Sequence, residues 1–208
     1  MTTAPARLSR GDAVALGVIA TAAVSVAIAS IAAIAVRAAD LFSAQVSVPM
    51  PVHDAESVAV LADAPGIAAS QYASAVVTFT DLAAGARWLL LLEGALPALA
   101  TVGVCGVAWW LGVSLIRSRP FRTSMSWTLG IAAVLVLAGG ILGQAAGAFG
   151  RAVAVDALAS VDPGVHDVLW PLLAEIDLAP VGWGFALALV ASAFSLGTRL
   201  QKDTEGLV

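Results

Sequence analysis

Four long apolar stretches dominate the chain, at Ala13–Val36, Trp88–Ile116, Met125–Phe149 and Val181–Thr198. A helix needs roughly 20 consecutive apolar residues to cross the hydrocarbon core, and each stretch reaches or approaches that length. The pattern predicts an all-α integral membrane protein, a four-transmembrane-helix bundle forming one membrane domain over residues 1–208. Between the spans it leaves a loop at 37–87, a turn at 117–124 and a second loop at 150–180, with a tail at 199–208. Arg7 and Arg10 before the first stretch resemble the start of a signal peptide, but 24 uncharged residues exceed a signal core of roughly 7–15, so the segment reads as a retained anchor.

Lys and Arg fix the expected orientation, because short loops that carry them stay in the cytoplasm. Arg7, Arg10, Arg117, Arg119, Arg122, Arg199 and Lys202 fall on one side; Arg37, Arg87 and Arg151 fall on the other, each beside a helix end. Both termini are therefore expected in the cytoplasm, with the loops at 37–87 and 150–180 extracytoplasmic. Trp88 and Trp183 mark the outer interface, and Trp109, Trp110 and Trp127 the inner one.

The fifty-residue outer loop is too long to be a bare connection. Alternating apolar positions at Val46, Val48, Met50 and Val52, again at Val58 and Val60, and later at Val77 and Phe79, predict two or three short strands. Pro49 and Pro51 confine the first of these to an edge or a bulge. In the second loop, Asp162 before Pro163 reads as an N-cap and first turn of a helix that Pro171 would limit.

Composition agrees with the membrane reading: 60% of residues are apolar, 12% charged, and the mean hydropathy is +0.95. A net charge of −4 argues against nucleic acid as a direct partner. Ten of the fourteen acidic residues lie in the two outer loops, which makes that face negative. The single Cys105 closes no intramolecular disulfide and reads as an inert apolar residue. No nucleophile elbow, zinc-protease helix, phosphate-binding loop or pair of intramembrane acids is present, so no enzyme activity and no cofactor is expected.

The turn Arg117-Ser-Arg-Pro-Phe121 opening the third span, and the tail from Leu196 to Val208, resemble the bacterial four-span membrane family called "domain of unknown function 2975". Family members usually carry an Asn a few residues after the Pro-Phe, where this chain has Thr123, Ser124, Met125 and Ser126. The resemblance covers nearly the whole chain in layout and implies topology without chemistry. It also implies a cytosolic helix-turn-helix regulator as a partner, since members are often encoded beside one.

Glu93 is the one ionisable residue within a span, and such a group is a functional candidate by default, at a cost of at least ~2.5 kcal/mol at mid-bilayer. It lies five residues past Trp88, roughly 7–8 Å below the outer interface. Gln144, five residues before Phe149, reaches a similar depth, so the two can form an uncharged hydrogen bond. Arg37 or Arg151, reaching down from above, can instead make an ion pair. Pro97 is a kink position four residues further on. Gly139, Gly143 and Gly147 leave a stripe without side chains on the third span, a surface for close helix packing within the bundle or for a homo-oligomer. The Ala-rich first span, with Ser25 and Ser30, is the expected internal partner.

His53, in His53-Asp54-Ala55-Glu56, and His166, beside Asp162 and Asp167, combine imidazole with carboxylates, but this spacing is not that of a metal site. The pattern leaves two functions open. One is a non-enzymatic sensor or scaffold that meets the bilayer, an extracytoplasmic protein or a cytosolic regulator. The other is a small transporter or channel subunit with Glu93 as an intramembrane proton or ligand site.

Overall fold

A computed structural model describes residues 10–52, 72–116, 123–170, 172–173 and 176–205. The expected turn at Arg117–Arg122, the His53–Glu56 segment, Val58, Val60, Pro171 and the last three residues lie outside the described residues. In chain order the elements are α1 (Arg10–Leu41), β1 (Val46–Pro51), β2 (Ser74–Phe79), α2 (Ala84–Ile116), α3 (Thr123–Ala159), α4 (Val165–Val168) and α5 (Ala179–Glu205). Four of these helices, α1, α2, α3 and α5, are long and apolar enough to cross a membrane. The chain is thus a multi-pass membrane protein with a small two-stranded sheet.

The helices outrun the boundaries that the apolar runs predict. The first run ends at 36 and its helix reaches Leu41; the second begins at 88 and its helix at Ala84; the third helix continues from 149 to Ala159, and the fourth from 198 to Glu205. The runs stop at the nearest charge, yet Arg is a good helix former and Arg37, Arg87 and Arg151 are carried inside the helices. The candidate span within α3, Ser126–Ala159, which includes Arg151 and Asp156, is 34 residues and about 50 Å long, well beyond a hydrocarbon core of about 30 Å.

By internal contacts the chain separates into two compact units, Met1–Ile34 with Ala95–Leu142 and Asp177–Val208, and Ala35–Gly94 with Gly143–Ile176. In the unit containing Ala95–Leu142, small residues let helices approach closely. A Cβ added to Gly139 would stand 2.9 Å from the Leu96 carbonyl oxygen and from the Ala100 Cβ, so α2 lies directly against α3. On the other side, Gly140 receives Pro180, and Gly184 of α5 receives Leu137. Large side chains such as Val18, Ile28, Leu142 and Leu189 remain exposed along the helices. Continuous exposed apolar surface of this kind is what a bilayer covers.

The other unit holds a core of the sort found in soluble domains. β1 and β2 pair antiparallel, with Val46 opposite Phe79, Val48 opposite Val77 and Met50 opposite Ala75. Val46, Val48, Met50 and Phe79 turn inward and pack with Leu41, Leu82, Ala86, Leu90, Ala154, Val155 and Leu169. Met50 is fully buried. Leu82, Ala86 and Leu90 recur every four residues, which puts them on one face of the entry into α2. This sheet and the helix ends packed against it form a head.

The prolines of β1 fit because of register. Val52 N–H donates to the Ala73 carbonyl at 3.3 Å, which continues the same register and makes every second pair, through Met50, Val48 and Val46, a hydrogen-bonded one. Pro49 and Pro51 then occupy the non-hydrogen-bonded positions and withdraw no donor from β2. The Pro51 carbonyl, facing away from β2, accepts from Trp170 N–H at 3.3 Å, beside an isolated bridge between Val52 and Leu169. On the outer face Ser47 and Thr78 hydroxyls meet at 3.0 Å.

The expected helix start at Asp162 is corrected. Asp162 Oδ1 accepts from Gly164 N–H at 3.0 Å, a local turn, and the short α4 that follows has Gly164 at its N-cap with no side-chain bond. Asp side chains close such turns as readily as they cap helices, and Gly164 delays the helix by two residues.

Candidate functional site: an arginine–glutamate–arginine clasp

Glu93 lies on α2, within the unit that carries the head. Its two carboxylate oxygens have different partners. Arg37 Nη2, from the last turns of α1, donates to Oε2 at 2.7 Å, and Arg151 Nη1, from α3, donates to Oε1 at 2.8 Å. These distances are those of charge-assisted bonds. Three helices are joined at one carboxylate.

The clasp depends on glycine. A Cβ at Gly147 would overlap the Glu93 carboxyl group, so the side chain crosses α3 where α3 has no side chain of its own. Gly147 lies four residues, about one turn, before Arg151, which lets α3 supply both the space and the cation. Gly94 does the same for Arg37: a Cβ there would stand 2.8 Å from Arg37 Cδ. With this room, Arg37 lies across α2 and donates through Nε and Nη2 to the Leu90 carbonyl at 3.2 and 3.1 Å.

A second arginine reinforces the link between α1 and α2. Arg87 Nη1 donates to the Leu41 and Ser43 carbonyls at 3.0 and 2.9 Å, and Nε to the Leu82 carbonyl at 2.9 Å. Carbonyls at a helix C-terminus lack intrahelical donors and attract cations, so Arg87 closes the end of α1. Phe42 and Trp88 add an edge-to-face contact with ring centroids 5.0 Å apart.

The clasp lies at one end of three apolar runs. After Glu93, α2 continues for 23 uncharged residues to Ile116, about 34 Å, which alone suffices to cross the hydrocarbon core. Arg37 follows 24 uncharged residues of α1, and Arg151 follows 28 of α3, Thr123–Gly150. Each of the three charges ends an apolar run long enough for a crossing. Their side chains are partly open: 43% exposed for Arg37, 25% for Glu93 and 20% for Arg151.

The ion pair expected for Glu93 is formed, with both arginines at once. Gln144 is half-buried two turns before Arg151 on α3. The glycine stripe divides in purpose: Gly139 admits the backbone of α2, Gly147 admits a carboxylate, and Gly143 is buried between them. The neighbour of Gly139 and Gly147 is therefore α2 and not the first span. Ser30, expected to face the stripe, bonds instead to the Val26 carbonyl of its own helix at 2.9 Å. α2 runs as helix through Pro97. Among the described residues no three His, Cys, Asp or Glu side chains come together as a metal site, and His166 is exposed.

No family model, curated protein or solved structure matches the chain. The geometry of the head and its clasp therefore carries the functional argument. Beside the sheet, Tyr72, Ala75, Val77, Val165 and Val168 line part of an open apolar groove of about 670 Å³.

Proposed function

We propose that the chain is a non-enzymatic sensor or scaffold of the bacterial cytoplasmic membrane, with both termini in the cytoplasm and the sheet-bearing head outside. The observation that carries this reading is the commitment of both Glu93 oxygens to arginines on two other helices. A carboxylate used to bind and release a proton or ligand must be freed during each cycle, and freeing this one would strand two guanidinium groups near lipid. Removing one partner from a buried ion pair is strongly destabilising, by about 3–5 kcal/mol where burial is complete. The clasp instead suits a head whose three helix ends must stay together. The apolar groove of the head offers an extracytoplasmic protein a place to dock, and the resemblance to the "domain of unknown function 2975" family supports a cytosolic regulator as the second partner.

The rival is a transporter or channel subunit working through Glu93, and the two separate in a flux measurement. Protein reconstituted in liposomes with an internal pH-sensitive dye is challenged with a proton gradient in both polarities. The scaffold reading expects dissipation equal to that of empty liposomes, for the native chain and for Glu93→Gln. Flux that is present in the native chain and lost in Glu93→Gln overturns it.

A further inference from the structure

Two guanidinium groups share one carboxylate, so the clasp carries one positive charge in surplus. That surplus sits at the end of three apolar runs, where water is scarce and an uncompensated charge is expensive. The bonds described engage three of the five N–H donors of Arg37 and one of the five of Arg151. Each arginine binds a different oxygen of the same carboxylate, so the two donating nitrogens stand no more than about 8 Å apart, a gap that a phosphate accepting from both can bridge. Arg37, 43% exposed, opens this pair to the surroundings.

We propose that Arg37 and Arg151 together bind a phosphate group at the membrane boundary, with Glu93 offsetting one of their two charges. Guanidinium matches phosphate in charge and in the geometry of its paired donors, and the match is worth more in a medium of low dielectric constant. The phosphate of a membrane lipid and free inorganic phosphate share this chemistry. An anionic lipid has the advantage of bringing net negative charge to the depth where the surplus lies. This inference rests on the clasp and is independent of whether the protein is a scaffold or a transporter.

The test uses the charge sign of each variant. Purified protein in a neutral detergent is titrated with phosphatidylglycerol or phosphatidylcholine and the bound lipid is counted by native mass spectrometry. Arg37→Gln and Arg151→Gln remove the surplus and should each weaken phosphatidylglycerol binding about fivefold, the ~1 kcal/mol that one Lys or Arg contributes near an anionic surface. Glu93→Gln raises the surplus to two and should bind phosphatidylglycerol as well as the native chain or better. All three variants break the clasp, so a purely structural role would move binding in the same direction in all of them. Arg37→Lys keeps the charge, controls for loss of fold, and should retain most of the binding. Equal retention of the two lipids, unaffected by any variant, overturns the proposal. Millimolar inorganic phosphate that displaces phosphatidylglycerol and stabilises lipid-free protein to the same extent overturns the lipid as the source and assigns the site to the free anion.

Discussion

Replacing Gly147 by Ala sets two effects of known sign against each other. In a helix interior Ala is favoured over Gly by about 1 kcal/mol. Here the added Cβ overlaps the Glu93 carboxyl group, which is held on one side by Arg37 and on the other by Arg151. To make room the carboxylate must leave at least one arginine. A hydrogen bond to a charged group contributes about 1.5–3 kcal/mol, and the lower figure applies to Arg37 because its exposure screens the pair. Loss of one or both bonds, less the helical gain, leaves a net destabilisation of about 1–3 kcal/mol. For a chain of this size each kcal/mol moves Tm by about 2–4 °C, so a fall of about 2–12 °C is expected. A fluorogenic maleimide reports the transition, since Cys105 is the single thiol and is half-buried in α2. The same substitution in a Glu93→Ala background meets no carboxylate and should be neutral or stabilising by up to about 1 kcal/mol. A Gly147→Ala chain more stable than the native one would refute the account of the clasp.

Gly139→Ala should destabilise by about 1–3 kcal/mol in the same assay, because its Cβ meets the backbone of α2 and cannot displace it, whereas Gly106→Ala, with open space at its Cβ, should be neutral or slightly stabilising. Met50→Ala removes a fully buried side chain and should weaken the head by about 2–5 kcal/mol, seen as faster limited proteolysis between β1 and β2 with the helices retained in the detergent micelle. In intact cells of a Cys105→Ala strain, a membrane-impermeant maleimide should label a cysteine placed at Thr80, which is exposed just beyond β2, and fail to label one at Gln201; the reverse pattern would invert the proposed topology.

The spans and both strands are legible in the sequence because each rests on a one-dimensional signal: run length for the helices, and alternation at Val46, Val48 and Met50 for the sheet. The ends of the helices are less so, since a charge stops an apolar run without stopping a helix, as Arg37 and Arg151 demonstrate. The face of each helix is not legible at all. Lipid-facing and helix-facing positions are both apolar, so nothing in the pattern distinguishes exposed Leu142 from buried Leu129. For that reason the pattern pairs the glycine stripe with the first span, where the structure pairs it with α2. Glu93 stands out as an anomaly and its arginines as candidates, but Gly94 and Gly147, the openings through which they meet, emerge only from the packing of α1, α2 and α3. A useful signal is nevertheless present: a glycine four residues before Arg151, and another immediately after Glu93.

The prolines of β1 have a consequence for how the head can associate. At positions 49 and 51 the strand has no N–H to offer an incoming chain, and the Pro51 carbonyl is already taken by Trp170. β2 presents its outward backbone at Ser74, Val76 and Thr78, with Val76 71% exposed. A sheet with two competent edges can add strands without end, and crowding in a membrane plane would favour that growth. A sheet with one can accept a single neighbour and then stops. The two prolines thus act as a terminator, setting a ceiling on lateral polymerisation of the head whatever its density in the bilayer.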